Sequence, residues 1–359
     1  METFTFLLKG IFRPVAKIIT VVTFASADGH EVPFRGGSIG HMEKQFDLIC
    51  IGMALVDSII KGFDPEPVSA SGYRAESGSL NIGGEAVNEA MAAAKLGMKT
   101  GILCSLGEDA AGDMIADALA RQGVDTSRIL RSAGYPTPVT TMFVNDDGTR
   151  KSITNGAHRH NFHPERYIDR FSDARGLIFG SLFRAPFDDP EIIRSVLIAA
   201  KAAGQIVFAD TKLPNFRFLT LDDLHDSLPL IDYITPNEDE AHHFSGKEQP
   251  EEMADKFLGY GVKNVIIKLG GKGCLFKNAE ERMILPACEI QAVDATGAGD
   301  NFVAGFAAEI LRGASHDEAL RFANACGAIC TTAVGAATAL KDRDQVIEWM
   351  RQKSVKFEV

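Results

Sequence analysis

The chain has 359 residues, of which 45% are hydrophobic and 24% charged, an ordinary composition for a soluble protein of one large domain or two smaller ones. Its formal net charge of -11 at pH 7, with no long lysine or arginine run, argues against nucleic acid or an anionic membrane as the main partner, so any phosphate site has to be local. The cysteines at 50, 104, 274, 288, 326 and 330 include no Cys-x-x-Cys, which reads as reduced, buried thiols of a cytoplasmic protein. Cys326 and Cys330, one helical turn apart, read as packing rather than as half of a metal site, because no ligand set with metal spacing accompanies them.

At the start of the chain, Lys9, Arg13 and Lys17 precede the apolar run 18–24 and then Ala25-Ser26-Ala27, an outline shared with secretory leaders. The run is too short for a membrane span, and its two threonines suit a secretory core poorly. Residues 1–41 are therefore expected to be an N-terminal extension outside the fold, with a single domain over 42–359.

From Phe46 the pattern alternates between strand and helix. Residues 46–52 form a buried-strand pattern ending in glycine, and 86–96 an Ala-rich helix closed by Gly97. A strand at 100–105, a helix at 112–122, a strand at 176–179 and a helix at 190–203 follow. Strands at 206–210 and 233–235, a helix at 251–260 and a strand at 264–269 continue the rhythm. The alternation predicts an α/β fold with a mostly parallel sheet and helices on both faces. Two stretches break it: 69–81 is polar and punctuated by glycine, and 139–144, a turn at Asn145-Asp146-Asp147-Gly148 and 149–154 make a strong hairpin signal. They predict a small β-sheet lid, with segments over about 62–82 and 137–157, of the kind that keeps water from a reacting centre.

Ligands of open α/β sheets bind beyond the carboxyl ends of the strands, and the polar residues there are the site candidates. Asp57 follows the first strand. Gly83-Gly84-Glu85-Ala86-Val87-Asn88 enters the first long helix, with Asn88 one turn inside, where its amide can reach a polar ligand lying over the glycines. After strand 233–235, Asn237 and Glu240 share one face of a starting helix, a hold for hydrated Mg²⁺. Strand 264–269 runs into Gly270-Gly271-Lys272-Gly273, a turn able to approach a phosphate but common in other roles. His158, His160 and His163 lie in a polar connection and read as solvated. The chain contains no Gly-x-x-x-x-Gly-Lys-Ser/Thr, and no Gly-x-Gly-x-x-Gly follows a strand, so neither a P-loop nor a dinucleotide fingerprint is supported.

The densest stretch is Val293-Asp294-Ala295-Thr296-Gly297-Ala298-Gly299-Asp300-Asn301-Phe302. Beyond it, Phe302, Val303, Phe306, Ala307, Ile310 and Leu311 recur at helical spacing until Arg312-Gly313, which puts Asp300 in the first turn of a helix. Unpaired N–H groups and the positive dipole end favour negative charge there. The Asp300 carboxylate is expected to stay ionised, and a phosphate to approach the backbone of Ala298 and Gly299. An acidic N-terminal turn would by itself account for one aspartate; the density of the stretch favours an anion cradle with a base beside it.

In this order, G-G-x-x-x-N at 83–88, N-x-x-E at 237–240 and D-x-T-G-A-G-D at 294–300 resemble the ribokinase-like (PfkB) carbohydrate kinase family, over a span from Phe46 to the C-terminus. The resemblance implies a three-layer α/β/α core with a β lid, ATP as donor, Mg²⁺, and transfer of the γ-phosphate to a hydroxyl of a sugar or nucleoside. By the same resemblance Asp300 is the base and Gly297, Ala298 and Gly299 form the anion hole. Asp57, Gly83, Gly84 and Asn88 hold the acceptor, and Asn237 and Glu240 organise magnesium and its waters. Lys268, Gly270, Gly273, Thr296, Asn324 and Gly335 fall on the nucleotide side. Asp294 matches a position that in many members helps order a monovalent-cation loop, which leaves K⁺ activation open.

Two places depart from the family pattern: Glu85 is acidic where many members have a small or polar residue, and Asp210-Thr211-Lys212 stands where Asp-Pro-Asn is frequent. They could reshape the pocket or be neutral neighbours. With only Arg159 and Arg184 available, no arginine cluster marks a phosphorylated acceptor, so a free ketose or aldose such as fructose or ribose is expected. A nucleoside is the alternative, and a non-catalytic sugar- or nucleotide-binding protein is a third reading. Apolar lid residues such as Met142 and Val144 point to a homodimer formed through the lid.

Overall fold

The computed structural model describes residues 44–62, 75–144, 150–156 and 162–354. The extension at 1–41, part of the first lid segment, the hairpin turn at 145–148, and His158, Arg159 and His160 lie outside the described residues.

In chain order the strands and helices are β1 (Phe46–Ile51), β2 (Leu55–Lys61), β3 (Ser77–Gly83), α1 (Glu85–Lys95), β4 (Thr100–Leu103), β5 (Ser105–Gly107), α2 (Ala110–Arg121), β6 (Leu130–Ser132), β7 (Val139–Val144) and β8 (Arg150–Thr154). Then come β9 (Ala174–Leu182), α3 (Pro190–Ala202), β10 (Ile206–Thr211), β11 (Tyr233–Ile234), α4 (Glu238–Ser245), α5 (Pro250–Gly259) and β12 (Asn264–Lys268). β13 (Cys274–Lys277), β14 (Arg282–Leu285), α6 (Ala298–Arg312), α7 (His316–Cys330) and α8 (Arg343–Ser354) complete the order.

The main sheet runs β14-β13-β12-β11-β10-β9-β1-β4. From β4 to β12 all neighbours are parallel, as the strand–helix alternation predicts. At the far edge β12–β13 and β13–β14 are antiparallel, which leaves the sheet mostly parallel as expected. Their connections, 269–273 and 278–281, are too short for a parallel crossover, which needs a dozen residues or more.

The strands are apolar on both faces because both are covered. Leu48, Cys50, Ile178, Phe208 and Ile266 point into a core shared with α1, α2, α6, α7 and α8. Their neighbours Ile49, Ile51, Leu177, Phe179, Val207 and Val265 point into a second core with α3, α4 and α5. Side chains that alternate between two buried faces give three layers, α/β/α.

A separate four-stranded sheet, β3-β2-β7-β8, stands beside this core. Its hairpin β7–β8 pairs Thr140 with Thr154 and Val144 with Arg150, as the sequence pattern indicates. β2 is a strand that the pattern did not single out, and Asp57 lies inside it, opposite Asn81 and Thr140 rather than in a loop. β3 enters α1 through Gly84 alone. There φ is +102° and an added Cβ would lie 2.3 Å from the Met53 carbonyl oxygen, so only glycine fits.

Candidate active site

The carboxyl ends of β9, β10 and β12 and the first turns of α1, α4 and α6 converge on one region. Asp300, in the first turn of α6, is 8% exposed. Its Oδ2 accepts a hydrogen bond from Asn88 Nδ2 of α1 at 2.6 Å. The dipole was expected to keep this carboxylate ionised, and at pH 7 it is, although burial raises its pKa. Desolvation pushes the Asp300 carboxyl up from 3.8 to about 6; the Lys212 ammonium and Asn88 oppose the rise, while Glu85 and Asp210 add to it.

Glycine serves two purposes in this turn. Gly297 has φ +78° and a Cβ there would sit 2.2 Å from Ala336 Cβ, so packing against the 331–340 loop fixes its identity. Over Gly299 the near neighbour is Lys268, whose Nζ lies 3.3 Å from the place a Cβ would take. An anion arriving at the start of α6 therefore meets an ammonium group as well as first-turn N–H groups, of which that of Ala298 donates to the Ala295 carbonyl at 3.2 Å. Lys268 Nζ also lies 2.6 Å from Asp210 Oδ1, which accepts from Thr235 Oγ1 at 2.9 Å. Burial works against the Lys268 charge, but Asp210 and Glu240 outweigh it and raise its pKa.

Asn237 and Glu240 form a capping box at the start of α4: Glu240 N donates to Asn237 Oδ1 at 2.8 Å, and Asn237 N to Glu240 Oε2 at 2.9 Å. Glu240 Oε2 also accepts from Thr211 Oγ1 at 2.8 Å. Burial pushes the Glu240 carboxyl up, and Lys268 opposes this. Among the described residues, no three His, Cys, Asp or Glu side chains gather as a preformed metal cage. His163 contacts Glu165 at 3.1 Å, consistent with its reading as a loop residue.

On the nucleotide side expected from the sequence, Asp294 Oδ1 accepts from Thr296 N and Oγ1 at 3.0 and 2.7 Å, and its Oδ2 from Gly335 N at 2.9 Å. Asp294 thus ties the two loops together. Asn324 Nδ2 reaches the Pro286 carbonyl at 3.4 Å. Gly270 (φ +56°) and Gly273 (φ +102°) shape the turn after β12, and a Cβ on Gly273 would overlap the Leu285 carbonyl. On the acceptor side expected from the sequence, a Cβ on Gly83 would come within 2.5 Å of Asp57 Oδ2. Burial, and then Glu85, push the Asp57 carboxyl up.

Sequence reasoning left Glu85 and Lys212 undecided, and the structure places both in the site. Lys212 Nζ lies 3.2 Å from Glu85 Oε1, and Ser181 Oγ donates to Glu85 Oε2 at 2.6 Å. Burial opposes the Glu85 charge; Lys212 and Ser181 overcome it and lower its pKa. Ser181 is held with φ +65°, a conformation that costs a non-glycine residue about 1–3 kcal/mol. Glu89 was missed altogether. It is fully buried, neither carboxyl oxygen has a hydrogen-bond partner, and desolvation, followed by Asp210, Asp300 and Glu85, raises its pKa well above the ordinary value. The available signal was an acidic residue inside the Ala-rich run of α1. Cys326 and Cys330 are buried and free, and Cys330 Sγ packs against the Thr296 and Ala336 carbonyls at 3.4 Å each. Away from this region, a cavity of about 850 Å³ at the other end of α6 is lined by Glu309, Arg312 and Arg343, whose charges pair with one another.

A family model described as pfkB family carbohydrate kinase matches residues 45–343. The chain belongs to this carbohydrate kinase family. It is therefore a phosphotransferase with an alcohol group as acceptor. The ribokinase of Arabidopsis thaliana is 32% identical over 321 residues, 85% of this chain and 81% of the relative. The solved structure of Arabidopsis ribokinase complexed with ribose and ATP superposes with a TM-score of 0.75 at 29% identity, covering 85% of this chain and 99% of that one. A ribokinase of Haemophilus influenzae is 31% identical over 277 residues (76% and 88% covered). Fructokinase-1 of Oryza sativa subsp. japonica is 28% identical over 283 residues (75% and 88%). The three-layer core and β sheet of this kinase match the ribokinase-like fold. No helix among the described residues is long and apolar enough to cross a membrane.

Proposed function

We propose that this kinase transfers the γ-phosphate of ATP to a hydroxyl of a free sugar of the ribose or fructose type. The observation that carries the reading is Asp300: a buried carboxylate at the start of α6, held by Asn88, with its pKa raised to about 6. An alcohol is a weak nucleophile, and a base helps most when its pKa lies near the working pH. Asp300 takes the acceptor proton, while the N–H groups of Gly297, Ala298 and Gly299 and the Lys268 ammonium face the transferring phosphoryl. Most of the acceleration is alignment and charge stabilisation, because phosphoryl transfer offers little covalent work for the protein. Asp57, Gly83, Gly84 and Asn88 hold the acceptor hydroxyls, and Gly270, Gly273, Thr296, Asn324 and Gly335 border the nucleotide. The ribose and ATP of the Arabidopsis ribokinase complex support both halves of the assignment.

Magnesium, when bound with the nucleotide, supplies a Lewis acid that offsets phosphate charge. Asn237 and Glu240 are committed to their cap and would reach it through water, which suits an ion that keeps several waters and uses few carboxylates. Asp294, by tying Thr296 to Gly335, would order a K⁺-responsive loop. The four-stranded sheet serves as the lid, and its exposed Leu80 and Ile153 support pairing with a second copy.

The test is ADP release with D-ribose, D-fructose and a set of nucleosides as acceptors. Stimulation by a free sugar is expected. A response to nucleosides alone would move the acceptor class, and no response to any of these acceptors would overturn the assignment of a free ribose- or fructose-type sugar.

A further inference from the structure

The Glu85–Lys212 pair sits one helical turn from the contact that fixes the catalytic carboxylate. Glu85 and Asn88 lie three residues apart on α1 and so share a face. On that face Asn88 touches Asp300 at 2.6 Å, and Glu85 holds Lys212 at 3.2 Å. The ammonium is therefore one side chain away from the base, at the end of β10 and just beyond Asp210. Glu85 is in turn pinned from a third element, by Ser181 at the end of β9. A strained backbone at Ser181 is retained where it aims this hydroxyl.

The surroundings explain why such a clamp is needed. Asp300 is faced by Glu85 and Glu89 from α1, by Asp210 and Lys212 from β10 and the residue after it, by Lys268 of β12 across Gly299, and by the Cys330 thiol of α7. Lys268 is already paired with Asp210. Lys212 is drawn toward Glu85, Asp300, Asp210 and Glu240 together. A flexible four-carbon side chain in that field, without an anchor, would close onto Asp300 and tie up the lone pair that has to accept a proton.

We propose that Lys212 is a positioning residue for the transfer reaction, a fixed counter-charge that keeps Asp300 available as a base, and that Glu85 holds its ammonium group short of direct contact. This rests on Asp300 being the base. It gives the two departures from the family pattern a joint role: an acid at 85 and a lysine at 212 are two halves of one device.

The experiment is a set of pH profiles of turnover, with ATP and the best acceptor of the panel, for E85Q, K212M, K212R and E85Q/K212M. E85Q releases the lysine onto Asp300, so the plateau should fall about tenfold or more and the acid limb should move to lower pH. K212M removes the counter-charge, and the acid limb should rise by about one pH unit. K212R keeps the charge and should keep the wild-type limb. The double variant removes both charges and leaves neither buried alone, so it should turn over faster than E85Q, with an acid limb near that of the wild type. A double variant no better than E85Q, or an unmoved acid limb in both single variants, would overturn the proposal.

A second readout does not depend on turnover. In protein labelled with ¹³C at aspartate carboxyls, the Asp300 signal, assigned by its loss in D300N, should titrate higher in K212M and lower in E85Q than in the wild type. Identical titration in all three would also overturn the proposal. Absence of turnover by the wild type would count against the proposed acceptor class instead, and the titration would then decide this inference alone.

Discussion

Replacing Asp300 by asparagine should make the protein more stable and nearly inactive, and the same number predicts both effects. In the folded chain the Asp300 carboxyl is raised from 3.8 to about 6, chiefly by burial. A folded-state pKa above the unfolded one means that ionisation opposes folding. The penalty is absent below about pH 4, grows between the two values and is complete above pH 6. A shift of roughly two units corresponds to about 3 kcal/mol at pH 7. Asparagine keeps the shape and an oxygen that can accept from Asn88, yet carries no charge. D300N should therefore gain up to about 3 kcal/mol at pH 7, or several degrees in melting temperature for a chain of this size. At pH 4 its gain should vanish. Turnover should fall by about 10²–10⁴-fold, the range for loss of a general base. Thermal melts of both proteins from pH 4 to 8, with ADP-release rates at pH 7.5, check each half. A variant with near-wild-type turnover would refute Asp300 as the base. One that is inactive but equally stable at pH 7 would refute the burial argument.

Three further outcomes are expected. Asn237→Ala removes half of the α4 capping box and should cost about 1 kcal/mol; the Mg²⁺ concentration for half-maximal activity should rise while the acceptor KM stays unchanged, both readable by chemical denaturation and magnesium titration. Asp57→Ala should raise the acceptor KM about ten- to hundredfold, the scale of a lost charge-assisted hydrogen bond, with nucleotide affinity measured by calorimetry unaffected. Gly84→Ala meets both a φ of +102° and the Met53 carbonyl, and should lower stability by about 3 kcal/mol or more; a melting temperature within a degree of the wild type would show that β3 and α1 can shift to make room.

The parts of the fold legible in the sequence were those with local signals. The buried strands, the Ala-rich α1 and the β7–β8 hairpin announce themselves by period and turn chemistry, and the structure places their ends within a few residues of the pattern. β2 was not legible, because its Leu-Val-Asp-Ser-Ile-Ile run directly follows β1 and pairs with the distant β7. β13 and β14 needed their short connections to be read as hairpins. At the site, Asp300, Asn237 and the glycines carry motif spacing. The raised pKa of Asp300 does not follow from its helix position, since it comes from burial and from Glu85 and Asp210, which other elements bring to it. Glu89 and Lys212 acquire meaning only when α1 and the end of β10 are brought together.

The single residue between β3 and α1 has one more consequence. The four-stranded sheet carries Asp57, the helix carries Asn88, and Gly84 is all that separates them along the chain. With no slack in that joint, an acceptor gripped from both sides would draw the sheet over the reacting groups by its own contacts. Each hydroxyl that bridges strand and helix would then contribute to closure as well as to affinity. Sugars lacking one such hydroxyl should be distinguished chiefly by slow turnover at saturation, and by futile ATP hydrolysis when water enters a half-closed site.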